Sequence, residues 1–352
     1  MVTFSELRFL VKKYYFSSSW RITFAIFVLT TVASLFSSNI LYASTLNNLS
    51  SNSGELLDKS SIRHLPDFNF VSAGDFGCGD IANQTVNRML EKKPELVIAT
   101  GDLSYSKSAD CWFNVVSPLD TDGRLKIAIG EHDIDDNLDN LTRFNQYMRH
   151  FNLTKPYYSF NYQNAHFLAM ATAKNEAFPY ANDSEQYRFV NEDLKNASEN
   201  KDIEWIIVYS FRPFYSSNTT HPGLDELQDI YHPLFDKYGV DLVLQGHNHN
   251  YQRTFPLKYN VKSGDDPIIT DKHTREYSSD PEGPIFVTVG TGGEDLYNFT
   301  GSKPYIFEQF QRHGFLNVDI TNNGNNLTAT FYENRDMTGK DHFSILKQAK
   351  IK

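Results

Sequence analysis

The sequence predicts an α/β domain, and three features carry that expectation. From Phe68 onward, short β-branched and aromatic runs alternate with helical stretches. Each strand run ends in a loop rich in Gly, Asp, Asn or His. After Glu282 the character changes to strands with no helices between them.

In chain order, Phe68–Gly74, Glu95–Thr100, Leu125–Ile129, Ile203–Tyr209 and Val240–Leu244 read as buried strands. Asp80–Lys93, Asp139–His150, Ser184–Ser198 and Leu224–Tyr238 read as the helices between them. Tyr157–Tyr162 and Ala165–Ala171 form a hairpin pattern around Gln163 and Asn164. Pro284–Gly290, Gly314–Ile320, Leu327–Glu333 and His342–Leu346 complete the series as strands. No internal repeat breaks this pattern. In open α/β sheets ligands bind beyond the carboxyl ends of the strands, so the loops there are where function is expected.

Composition bounds the alternatives. The 352 residues are 40% hydrophobic, 14% aromatic and 22% charged, which excludes a disordered, collagen-like or multi-span membrane chain. The net charge is −10, and −13 once Met1–Ala43, with four basic residues and one acidic, is set aside. So acidic a surface repels phosphate backbones and argues against general nucleic-acid binding. With only Cys78 and Cys111, no disulfide scaffold or cysteine zinc site is built. The two cysteines either form one bridge or remain free thiols.

Residues 1–43 read as a signal peptide or signal anchor. Lys12, Lys13 and Arg21 precede an uncharged, largely apolar stretch from Ile22 to Tyr42. Ser37, Ser38 and Asn39 interrupt the run of about 20 apolar residues that a spanning helix needs, yet membrane anchoring through 22–42 stays open. Residues 44–64 read as a polar tether and 65–352 as the catalytic domain. Asn-x-Ser/Thr sites start at Asn48, Asn83, Asn140, Asn152, Asn182, Asn196, Asn218, Asn298 and Asn326. With the apolar N-terminus they predict an extracytoplasmic, glycosylated protein, secreted or membrane-anchored.

The strand ends carry the chemistry. They read Gly74-Asp75-Phe76-Gly77, Gly101-Asp102-Leu103-Ser104-Tyr105, Gly130-Glu131-His132-Asp133 and Gly246-His247-Asn248-His249-Asn250-Tyr251. In each, an Asp, Glu or His follows a glycine that permits a sharp turn and close backbone approach. One Asp after a strand glycine is commonly just a turn residue. Four such turns in order gather carboxylates, imidazoles and a phenol, and that density of charge is costly unless cations neutralise it. Oxygen-rich ligands with a bridging carboxylate suit a pair of cations, which clamp phosphoryl groups.

These motifs resemble those of the calcineurin-like metallophosphoesterases and, within them, the purple acid phosphatases. The resemblance runs from about Phe68 to Ile345 and is carried by Gly101–Tyr105 and Gly246–Arg253. Arg212–Ser217, Val287–Gly293 and Gly314-Phe315 add to it. It implies the short single-domain form, with two mixed β-sheets packed as a sandwich flanked by helices. It also implies two metal ions, Fe(III) plus a divalent Fe, Mn, Zn or Mg. Asp75, Tyr105 and His249 would hold the first, with Asp102 bridging both. The second would take Glu131 and His247, where Glu131 stands for the family's Asn and Phe211 for a ligand His. His221, in the loop that follows, reads as a surface residue, the alternative being that it reaches in to replace the missing ligand. His132 would protonate the leaving group with Asp133 orienting it, and Asn250 and Tyr251 would contact substrate, packing being an equal alternative for Tyr251.

The resulting expectation is an exported metal-dependent phosphomonoesterase acting on a small phosphate ester. Two alternatives remain: a phosphodiesterase or nucleotidase of the same fold, and a catalytically weakened extracellular binding module, which Phe211 favours.

Overall fold

In strand β1 (Phe68–Ala73), Phe68 and Phe70 face one apolar cluster while Val71 and Ala73 face another. Alternating side chains thus leave no polar face, the mark of a strand covered on both sides. A computed structural model describes residues 66–135, 142–174, 177–277 and 282–347. The expected export segment and tether lie outside the described residues, as do Asn48 and Asn140. Among the described residues no helix is long and apolar enough to cross a membrane.

After β1 come α1 (Asp80–Glu91), β2 (Leu96–Ala99), α2 (Asp110–Val116), β3 (Leu125–Ile127) and α3 (Thr142–His150). The hairpin β4 (Tyr158–Tyr162) and β5 (Ala165–Ala169) leads to α4 (Glu185–Glu199), β6 (Trp205–Ser210), α5 (Asp225–Tyr238) and β7 (Leu242–Gln245). Next come β8 (Tyr251–Thr254), β9 (Leu257–Lys258), β10 (Ile268–Ile269), β11 (Glu276–Tyr277) and β12 (Ile285–Val289). The last strands are β13 (Ile306–Phe310), β14 (Gly314–Thr321), β15 (Asn326–Glu333) and β16 (Gly339–Leu346).

Two seven-stranded mixed sheets result, in the orders β11-β16-β15-β14-β1-β2-β3 and β13-β8-β12-β7-β6-β5-β4. One apolar cluster joins them face to face, with Phe70, Ile98 and Val318 from the first and Phe167, Ile207 and Leu244 from the second. The outer face of the first sheet packs on Val86, Trp112 and Tyr147 of α1, α2 and α3. That of the second packs on Val190 and Phe235 of α4 and α5. The expected sandwich flanked by helices is therefore what forms. Strands β8 to β11, strand β13 and helix α2 were not expected; β8 starts directly behind the Gly246–Asn250 loop. Of the expected helix over Asp139–His150, the part up to residue 141 lies outside the described residues.

Cys78 and Cys111 are bonded, 33 residues apart with their Cα atoms at 5.8 Å. The bridge ties the loop after β1 to the first turn of α2, and closing such a loop contributes about 3–4 kcal/mol in the chain-entropy model. Beside it, buried Trp112 packs edge-on to Phe76 and Tyr147, at 6.4 and 5.7 Å between ring centres.

Candidate metal centre

Strands β1, β2 and β3 run parallel in one sheet, and β5, β6, β7 and β12 run parallel in the other. Parallel strands put their carboxyl ends at one edge, so the loops leaving them can meet. Backbone hydrogen bonds join these loops: Asp75 N–H to Gly101 O (3.0 Å), Gly246 N–H to Phe211 O (2.9 Å) and Gly292 N–H to Gly74 O (2.8 Å). Asp75, Asp102, Tyr105 and His247 all have left-handed backbone, with φ of 57°, 48°, 52° and 70°. Non-glycine residues avoid this region at a cost of about 1–3 kcal/mol each, and such strain gathers at functional sites. Gly130 lets two loops touch, since a Cβ there would lie 2.1 Å from the Asp102 nitrogen.

The first ligand set converges. The Tyr105 hydroxyl lies 3.1 Å from Asp75 Oδ1, 3.1 Å from Asp102 Oδ2 and 2.9 Å from His249 Nε2. His249 Nε2 is 3.4 Å from Asp75 Oδ1. The other oxygen of each carboxylate accepts a backbone N–H: Asp75 Oδ2 from His247 (3.0 Å) and Asp102 Oδ1 from His132 (2.7 Å). His249 Nδ1 bonds the Asp295 carbonyl at 2.8 Å, which makes Nδ1 the protonated nitrogen and leaves the Nε2 lone pair facing the cluster. Asp75 and Asp102 are 0% and 2% exposed. Burial, and then the Asp75 and Asp133 charges, hold the Asp102 carboxyl well above the usual range. Burial and the two carboxylates likewise raise the Tyr105 phenol. His249 is lowered by burial but raised on balance by Asp75.

Two buried carboxylates at one phenol form an anionic pocket, and the donors suit a hard trivalent cation. Among the described residues no group of three or more His, Cys, Asp and Glu side chains is placed to hold an ion. The Tyr105 hydroxyl is the point on which Asp75, Asp102 and His249 converge, and with it the donor chemistry of these residues fits a first metal.

The second set does not converge. Arg212 Nε donates to Glu131 Oε1 at 2.8 Å, and Arg212 Nη2 bonds the same oxygen. Phe211 is fully buried, its ring 4.6 Å from that of His247. His221 is not the surface residue expected. Its ring stacks on His247 at 3.7 Å and 22°, and its backbone N–H donates to buried Asn248 Oδ1 at 3.0 Å. Burial, reinforced by His221 and Arg212, drives the His247 imidazole down to about 2, so it stays neutral. An apolar ring and a paired acid do not fit a second ion.

Two further expectations are corrected, those for Asp133 and Asn250, and of the two alternatives for Tyr251 packing is the one seen. Asp133 does not orient His132: its buried carboxylate accepts N–H bonds from Gly130 (2.7 Å) and Leu103 (2.8 Å) and so pins two loops together. Burial raises it to about 6. Asn250 is buried, with its amide committed to Thr219 Oγ1 (3.1 Å) and Gln252 Nε2 (2.9 Å). Tyr251 is buried too, stacked 4.7 Å from Phe310 with its hydroxyl on Asp341 Oδ2 at 2.8 Å. His132 does face the cluster, stacked on Tyr105 at 4.3 Å, and burial lowers it. Sequence reasoning missed Arg212, Asp295 and Tyr297, whose ring stacks on His249 at 4.0 Å. Asp295 and Tyr297 follow Gly292 and Gly293 beyond β12, so the strand-then-glycine pattern could have found them.

Comparison with known proteins agrees with this architecture. The family model for calcineurin-like phosphoesterase matches residues 64–251. Purple acid phosphatase 21 of Arabidopsis thaliana is 27% identical over 241 residues, 64% of this chain and 49% of the relative. A phosphoenolpyruvate phosphatase of Allium cepa is 26% identical over 302 residues, 78% of this chain and 59% of the relative. The chain thus spans about half to three fifths of the length of these relatives. A purple acid phosphatase from yellow lupin (Lupinus luteus) seeds shares the fold, with a TM-score of 0.66 at 21% identity over 81% of this chain and 55% of that one. With its paired sheets, its strand-end cluster of Asp75, Asp102, Tyr105 and His249 and a family match over more than half its length, this chain belongs to the calcineurin-like phosphoesterase family, with purple acid phosphatases among its relatives.

Proposed function

We propose that this chain is an exported, metal-dependent phosphomonoesterase acting on small phosphate esters. The observation that carries the reading is the convergence of Asp75, Asp102, Tyr105 and His249 within 2.9–3.4 Å at the meeting of the two sheets. When bound there, a ferric ion supplies charge neutralisation for the phosphoryl oxygens and a water of lowered pKa. The protein's part is to hold that point rigid through the backbone N–H groups of His132 and His247. His132, which burial keeps predominantly neutral near pH 7, would in its protonated fraction give a proton to the leaving alkoxide. Export is supported by the basic-then-apolar N-terminus, the Cys78–Cys111 bond, and the exposure of Asn83, Asn152, Asn182, Asn196, Asn218 and Asn298 at glycosylation motifs.

Cells making the full chain are expected to hydrolyse a membrane-impermeant chromogenic phosphomonoester added outside, and a chelator should abolish this reversibly. Turnover confined to the lysate would remove export and keep hydrolysis. No turnover in either, with iron bound, would favour the second reading, a binding module, for which buried Phe211 is the specific observation.

A further inference from the structure

We propose that the Glu131–Arg212 ion pair takes the place of a second metal ion, so that the centre holds one ion and presents the Arg212 guanidinium to the phosphoryl group. The phosphoryl half of this inference rests on the phosphoesterase reading above; the metal half does not.

The backbone that a ligand histidine would need is intact but committed otherwise. The N–H groups of Phe211 and Arg212 both donate to Thr172 Oγ1, at 3.2 and 2.9 Å, and Thr172 is buried. Phe211 turns its ring into the apolar layer beneath, where a Cβ on Gly101 would meet it at 2.8 Å. His221 does not replace the lost ligand. Its ring lies nearly parallel to that of His247 at 3.7 Å, and stacked imidazoles do not aim their lone pairs at one ion. Of the donors that remain, Glu131 is already neutralised. Arg212 gives it two N–H groups, and a guanidinium keeps its charge at any working pH. A divalent ion at Glu131 would have to expel that cation or sit beside it.

Arg212 is also suited to the task that a second ion would perform. Its side chain is 32% exposed, so a ligand can reach it from solvent. Two of its five N–H groups are spent on Glu131, and the planar fork matches phosphate oxygens better than a point charge does.

The test counts ions and measures phosphate, and neither readout needs turnover. Protein equilibrated with excess iron or manganese and then desalted is analysed for metal, and inorganic phosphate is titrated by calorimetry. Wild type is expected to keep one ion per chain. Arg212→Met should free Glu131 to act with Asp102 and His247 and so keep two, while at one ion per chain its phosphate affinity falls about 10–100-fold. Arg212→Lys should stay at one ion, with a smaller loss of phosphate affinity. Should Arg212→Met not fold, Glu131→Gln serves instead and is expected to hold one ion and bind phosphate at least as tightly as wild type. Two tightly held ions in wild type, one in Arg212→Met, or unchanged phosphate affinity in Arg212→Met would each overturn the proposal, as would weakened phosphate binding in Glu131→Gln.

Discussion

Asp102→Asn is expected to reduce phosphomonoester turnover by well over 100-fold while leaving the metal-free fold intact. Loss of a residue that merely supports a metal ligand typically costs 10–100-fold. Asp102 stands in the innermost group, with Oδ2 3.1 Å from Tyr105 and Oδ1 held by the His132 N–H. Asparagine keeps the shape and the backbone hydrogen bond and removes only the charge. In the metal-free protein that charge repels Asp75 across the Tyr105 hydroxyl. The melting temperature of the metal-free variant should therefore equal or exceed that of wild type. A variant that unfolds, or one that retains more than a tenth of the activity, would show that Asp102 is structural.

The largest effect on stability is expected from Asp341→Ala. Asp341 on β16 pairs with Arg253 on β8, linking the two sheets through bonds of 2.6 Å to Nε and 2.9 Å to Nη2, and it also accepts the Tyr251 hydroxyl. Arg253 is fully buried, and its guanidinium lies 4.5 and 4.7 Å from the ring centres of Phe307 and Phe343. Removing the carboxylate leaves a buried cation without its hydrogen-bonded counter-charge, which costs about 3–5 kcal/mol. Denaturant unfolding measures this directly, and a loss below about 1 kcal/mol would mean that the pair contributes little.

That ion pair shows where local sequence stops being informative. The run Gly246–Arg253 reads as one motif, yet it contains two structures. His247 and His249 belong to the loop, whereas Tyr251 opens β8 and shares with Arg253 the face turned into the core. Nothing within the motif marks the change, because the partner, Asp341, lies 88 residues beyond Arg253. Asp133 was misjudged for the same reason. Gly130, one partner, is only three residues away, but the other, the Leu103 N–H, becomes a neighbour only once β2 and β3 pair. Helix α2 escaped notice because Asp110-Cys-Trp-Phe-Asn-Val-Val has little helical preference, and its place is fixed by the disulfide and by Trp112. The first ligand set, by contrast, was legible. A strand, a glycine and a ligand are contiguous in sequence, and parallel pairing brings their ends together without further information. The second set was legible as a departure, through Phe211 and Glu131, but not as an ion pair. That Arg212 is aimed at Glu131 depends on how two loops from different sheets meet.

The most direct test of the account is the visible absorption of the iron-loaded protein, recorded alongside its iron content. A charge-transfer band from the Tyr105 phenolate to ferric iron is expected. Tyr105→Phe should lose that band and bind iron more weakly, since the phenol is the point on which Asp75, Asp102 and His249 converge. A colourless iron-loaded wild type, or a band that survives Tyr105→Phe, would contradict the assignment of this site.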